Sequence, residues 1–257
     1  MANIQKENKT ISSEGILEHI IKTSNDVGNH FDKIYSYFLE EQSGEIAIYY
    51  NVLDNLTNDE NFNKSQSNFQ SALLFWRSLN SYISALELFR SGYLNEPQLI
   101  TRHILEIISS AYDIYTHPEK LKLLRENKYD STVSVTIAKK VLPSIGKAYG
   151  ITSNYITHIS MLHSAPQGDL DKGSLWIGGG FDENQRLFHY SAMMGLLETL
   201  VLINEMIEIT FSDWLSEFRY ERKNEGGVSK TQLPTRIEKL FFGIISKFQD
   251  LTLKYKL

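Results

Sequence analysis

Residues 66–118, QSNFQSALLFWRSLNSYISALELFRSGYLNEPQLITRHILEIISSAYDIYTHP, decide the fold class. Over 66–91 the apolar positions Phe69, Leu73, Trp76, Leu79, Ile83 and Leu86 recur at steps of three and four, the spacing of one face of an α-helix. Ser91-Gly92 ends that helix, because glycine accepts the left-handed conformation that closes a helical C-terminus. Asn95, Pro97 and Gln98 then spell a helix start: a capping side chain, a residue with no N–H to lose, and a capping-box partner. A second stripe follows through Leu99, Ile100, Ile104, Ile107, Ile108, Ala111, Ile114 and Tyr115 until His117-Pro118 stops it. Two long helices joined by about four residues are expected to fold back as an antiparallel hairpin.

The flanking sequence extends the pattern. Residues 14–41 place Ile16, Leu17, Ile20, Ile21, Val27, Phe31, Ile34, Tyr35 and Phe38 near helical spacing. The Asn-, Asp- and Ser-rich stretch 51–67 reads as a surface loop or short helical turns. Residues 130–163 read as two helices divided at Gly150. Residues 164–183 carry Pro166 and five glycines and have no helical period, a long loop of the kind that often carries function. Helix returns over 185–220, with Met194, Leu197, Val201 and Met206 on its strongest face, and Glu225-Gly226-Gly227 reads as a hinge. A last amphipathic helix is expected over 233–255. Strand signals are nearly absent, so the chain is expected to be all-α, a helical bundle of one domain over 14–257 behind a flexible stretch, 1–13.

Composition bounds the chemistry. With 42% hydrophobic and 22% charged residues the chain has ordinary globular composition, and with no cysteine it has no disulfide and no thiolate ligand. The N-terminal MANIQKENKT has no apolar export signal, so a cytoplasmic location is expected. The apolar run 192–203, AMMGLLETLVLI, is shorter than the roughly 20 residues a membrane span needs and contains Glu198, which suits a buried central helix better. Charge is uneven: residues 1–60 hold four lysines against eleven acidic residues, and 219–257 hold nine basic residues against four acidic ones. The two ends suit each other, a second copy, or, for the basic end, phosphate.

Arg102 and Glu106 lie four apart on the second helix, at the margin of its apolar stripe, where a structural ion pair and a cleft residue pair look alike. His158, Ser160 and His163 occur in YITHISMLHSAP at the mouth of the glycine-rich loop. The two histidines are five apart, about 140° around a helix, so one helix does not bring them onto one metal. Either suits single general acid–base chemistry, His163 the better for abutting the loop. Asp113 and His117 share a face at a helix end. The run Trp176 to Phe181, WIGGGF, lacks the Lys-Ser/Thr of a phosphate loop, and no GxSxG element is present.

The run Trp76 to Glu106, with its Arg90-Ser91-Gly92 helix end and its Arg102-x-x-x-Glu106 element, together with the later segment Ser160 to Ser164, resembles a group of uncharacterised bacterial helical proteins related to the HEPN superfamily. The resemblance covers about residues 66–165, with a HEPN-like core expected over about 66–220. It implies a helical bundle, often dimeric, from bacterial stress or phage defence, and metal-independent cleavage of RNA without a cofactor. Under that expectation His163 is the general acid–base, Arg102 stabilises the developing phosphorane charge, Glu106 orients Arg102, and Ser160, His158 and His103 contact substrate. The basic stretches Lys120–Lys128 and Arg219–Lys223 would hold the RNA backbone. The HEPN ribonuclease pattern of Arg followed four to six residues later by His is missing: Arg102 is adjacent to His103, and Arg186 precedes His189 by three. The site would therefore be assembled from Arg102 on one helix and His163 on another. The alternatives are a non-catalytic module that binds a nucleotide or a protein in the same cleft, and a helical scaffold with no ligand.

Overall fold

The computed structural model describes residues 12–153, 168–169, 174–175, 179–180, 186–225 and 228–255. Ser12 caps the first helix by accepting the Gly15 N–H at 3.1 Å. Helix α1 (Ser13–Glu18) runs through a π-helical turn, His19–Thr23, into the long α2 (Ser24–Asn58). Asp59 caps α3 (Glu60–Asn63), Ser65 caps α4 (Gln66–Arg90), and α5 (Glu96–Thr116) follows. Three short helices come next: α6 (Leu121–Arg125), α7 (Ser131–Ala138) and α8 (Pro143–Ile151). The central α9 (Arg186–Thr210) and the terminal α10 (Thr235–Tyr255) complete an all-α bundle. The strands of the described residues are two short antiparallel pairs, β1 (Gly168–Asp169) with β2 (Ser174–Leu175), and β3 (Glu221–Glu225) with β4 (Val228–Gln232).

The core gathers around α9, which meets α2, α4, α5 and α10. Met193, Leu196, Leu197, Leu200, Ile203, Met206 and Ile207 are fully or almost fully buried, so the apolar run seen in the sequence is a helix enclosed by protein. Among the described residues no helix is long and apolar enough to cross a membrane. Beyond α9 the chain leaves helix, and Phe211 turns back into the core edge-on to Phe62, Phe75 and Tyr115.

Helix α4 differs from its sequence pattern in an instructive way. Phe69 and Leu73, expected in the core stripe, are 40% and 43% exposed. The buried face keeps the expected Leu79 and Leu86 and adds Ser67, Ser71, Ala72, Phe75, Ser78, Tyr82, Ala85 and Phe89. Small residues let α5 approach closely, and their hydroxyls find carbonyls: Ser71 Oγ donates to Ala111 O at 2.7 Å and Ser78 Oγ to Phe75 O at 2.7 Å. The start of α4 thus meets the end of α5. Hydrophobic periodicity does not register serine, which is why it selects a flank of this helix.

The α4–α5 turn is a Schellman closure with Gly92 at φ +85°: Gly92 N–H donates to Phe89 O at 2.9 Å and Tyr93 N–H to Leu88 O at 3.0 Å. The start of α5 departs from the expected capping box. Asn95 makes no capping hydrogen bond with its side chain, and Gln98 Nε2 reaches across to Ala192 O at 3.4 Å on α9.

Three boundaries also move. Residues 51–58 are helical, because Ile46, Tyr49, Leu53 and Leu56 form one buried stripe while Asn51, Asp54 and Asn55 take the solvent face. The break within 130–151 falls at Lys139–Leu142, ahead of Pro143, with Leu142 at φ −132° and ψ 84°, kept out of the helical region as residues before proline are, and Gly150 lies inside α8. Of the expected hinge Glu225-Gly226-Gly227, Glu225 ends β3 and pairs with Val228, and the two glycines lie outside the described residues.

Candidate functional site

Helix α5 turns Thr101, Ile104, Leu105 and Ile108 into the core, which leaves Arg102 and Glu106 on its flank with side chains 31% and 20% exposed. Helices α7 and α8 pack against that flank. Tyr149 of α8 bridges the two charges from one side. Its hydroxyl accepts from Arg102 Nη2 at 3.1 Å and donates to Glu106 Oε1 at 3.0 Å. Ser131, the first residue of α7, donates to Glu106 Oε2 at 3.2 Å. The Arg102 guanidinium carbon lies 5.3 Å from the centroid of the Tyr149 ring, within cation–π range.

Direct contact between Arg102 and Glu106 is looser, at 3.7 Å from Nη2 to Oε1. The cluster is therefore a relay in which the tyrosine hydroxyl links the cation to the carboxylate. The Tyr149 hydrogen bond holds the Arg102 guanidinium above its ordinary basicity against the opposing effect of burial, with the charge of Glu106 adding to it. A guanidinium so held, with part of its surface open, suits a phosphate or carboxylate oxygen.

Of the six residues singled out in the sequence, the structure brings Arg102 and Glu106 together. His103 is exposed and stands apart from the relay. His158, Ser160 and His163 lie outside the described residues. Tyr149 and Ser131 were not foreseen. Ser131 follows Asp130, which caps α7 by accepting the Thr132 N–H at 2.9 Å, but nothing in local spacing points either residue at a helix that lies earlier in the chain.

The groups expected to hold an RNA backbone are partly committed elsewhere. Lys120 donates to Asp113 at 2.7 and 2.9 Å, and Asp113 is 1% exposed. Tyr129 OH and Ser134 Oγ complete its shell at 2.9 and 3.0 Å. Burial alone would raise the Asp113 carboxyl, and these hydrogen bonds outweigh it, leaving the group below its ordinary value. His117 Nδ1 approaches the same carboxylate at 3.0 Å, so the helix-end pair belongs to a larger network. Arg219 is engaged by Glu45. Lys122 and Lys128 remain largely solvated, at 81% and 69% exposure of their side chains.

The glycines that invite comparison with a phosphate loop have a packing role where they are described. Gly180 N–H donates to Gly92 O at 3.3 Å, and a Cβ built on Gly179 would overlap Ser91 O. Among the described residues no group of three or more His, Asp or Glu is arranged to hold a metal ion.

Comparison with protein families, with curated proteins and with solved structures returned no match to this chain.

Proposed function

We propose that the chain is a HEPN-like helical module, its α4 and α5 an antiparallel hairpin, that binds a phosphate-bearing ligand, a nucleotide or RNA, at Arg102. The observation that carries this reading is the relay itself. Arg102 is oriented by Tyr149, Tyr149 by Glu106, and Glu106 by Ser131, so a cation at a helix margin is fixed in place before any ligand arrives. A small ligand is favoured over a long RNA backbone because Lys120 and Arg219 are already spent on Asp113 and Glu45, and the chain carries a net charge of −5. The test is thermal unfolding of wild type and Arg102→Ala across saturating nucleoside mono-, di- and triphosphates. A ligand at a hundred times its Kd stabilises the native state by about 2.7 kcal/mol, so wild type is expected to shift and the variant to stay. A flat response from both sinks the reading.

A catalytic version belongs to the same resemblance, with a context in bacterial stress or phage defence and a second copy as partner. In it the chain is a metal-independent endoribonuclease: His163 moves the proton of the 2′-hydroxyl or the leaving oxygen, and Arg102 stabilises the phosphorane. The specific support is the Arg102–Glu106 pairing, in which the carboxylate orients the arginine through Tyr149. Incubating wild type and His163→Ala with structured RNA in EDTA separates the versions. Cleavage by wild type alone supports the enzyme, and equal cleavage by both removes His163 from the mechanism.

A further inference from the structure

We infer that the groove between α2 and α4 is a binding site for an elongated apolar ligand with a cationic head, an alkyl- or arylalkylammonium. The groove encloses about 380 Å³, within the range of roughly 300–1,000 Å³ that small-molecule pockets occupy. Leu39 and Ile46 of α2 and Ile83 and Leu86 of α4 form its walls. Ile46 and Leu86 are buried, and Leu39 and Ile83 pack partly buried against the core, so the walls are held by the fold before any ligand arrives. Ser43 and Ala47 line the groove from α2. Both are small, which is why two packed helices leave room between them at this point.

The two ends of the groove are unlike. Leu39 belongs to the Arg90 end, since the neighbouring Phe38 and Phe89 rings meet at 6.1 Å, and Tyr50 belongs to the other, where it meets Trp76 at 4.8 Å. The Tyr50 hydroxyl donates to Asn80 Oδ1 at 2.7 Å, which leaves its ring as an apolar stop for a ligand tail. At the opposite end stand Glu87 and Arg90. Arg90 is forked onto Asp32, with Nε and Nη2 each at 2.7 Å from the carboxylate, so its charge is matched. The exposed Glu87 carboxylate makes no side-chain hydrogen bond or ion pair among the described residues, and its charge acts with that of Asp32 to raise the basicity of Arg90. Two carboxylates thus stand against one guanidinium, and this end is net negative. An ammonium is attracted to it, whereas a carboxylate or phosphate head is repelled. Helix α4 rises about 10 Å from Ile83 to Arg90, the length of an eight-carbon chain, so a chain lying along the walls sets its head at Glu87 and its tail toward Tyr50. The groove shares no residue with the Arg102 cluster, and the inference stands apart from the reading of that cluster.

The test titrates n-octylamine and n-octanoate at neutral pH into wild type, Glu87→Gln and Ala47→Trp, following the methyl resonances of Ile46, Ile83 and Leu86. In wild type octylamine is expected to shift these methyls saturably, and octanoate to bind about tenfold more weakly. Glu87→Gln should weaken octylamine about threefold and bring the two probes closer together. Ala47→Trp fills the groove from an exposed position and should abolish binding of octylamine, its fold being checked by circular dichroism. If that variant does not fold, the wild-type methyl map alone decides the location. Octanoate binding as tightly as octylamine, or octylamine unaffected by Glu87→Gln, overturns the cationic assignment and with it the inference. Absence of a saturable shift, or one confined to residues outside the groove, overturns the site itself.

Discussion

Arg219, in the segment that leaves α9, forks onto Glu45 in α2 with Nη1 at 2.7 Å from Oε2 and Nη2 at 2.8 Å from Oε1. The two residues belong to the basic end and the acidic beginning of the chain, and their pairing is one place where that asymmetry is neutralised within the molecule. The segment is held at a second point, where the buried Glu208 accepts the backbone N–H groups of Arg219 and Tyr220 at 3.0 Å each and the hydroxyl of Tyr49 at 2.5 Å.

Breaking the fork strands a buried charge. Glu45 is 3% exposed, so Arg219→Ala is expected to destabilise the fold by about 3 kcal/mol, the lower end for a carboxylate left uncompensated because Arg219 is itself partly solvated. The double variant Glu45→Gln/Arg219→Ala should recover part of that loss. Urea unfolding measures both, and a loss below about 1 kcal/mol would mean the pair behaves as a surface contact.

The Asp113 network predicts an acid-sensitive component of stability. Its carboxyl lies below the ordinary value of 3.8 in the folded chain, so its contribution is full above that value and is lost as pH falls through the lower folded value. Asp113→Asn is expected to be less stable by roughly 2 kcal/mol at neutral pH, since the ammonium of Lys120 loses its anion. The variant should also lose less than wild type between about pH 5 and pH 2. Parallel urea midpoints for the two proteins that never converge at low pH would contradict the assignment.

The register of α4 is open to a direct comparison. Phe75 is fully buried and Phe69 is 40% exposed. Truncation of Phe75 to alanine should cost about 3 to 5 kcal/mol, and truncation of Phe69 under about 1 kcal/mol. Equal losses, measured by thermal unfolding, would show that the apolar stripe rather than the serine-lined face packs inward.

Helices with a strong apolar period or a clear stop were legible in the sequence. The ends of α4 and α5 follow from Gly92 and from His117-Pro118, and α9 from an apolar run too short for a membrane. What periodicity hid was small-residue packing. Ser71 and Ser78 score as polar, yet they lie on the buried face of α4, so that face was misjudged at Phe69 and Leu73, while Leu79, Leu86 and the helix itself were read correctly. Composition misled over 51–58 for the opposite reason, since Asn51, Asp54 and Asn55 are merely the wet side of α2. The site was half legible. Arg102 and Glu106 share a helix, so their spacing announces them, while Tyr149 arrives from a helix more than forty residues later through tertiary packing. No local rule connects it to them.

Arg102 as the anion-binding group is the central claim, and the most direct measurement follows its Nε–Hε resonance while pyrophosphate is added to the wild-type chain. A saturable shift at Arg102, absent for chloride at matched ionic strength, is the predicted result. An unmoved Arg102 in a folded protein, or a saturable response confined to other residues, would contradict the claim.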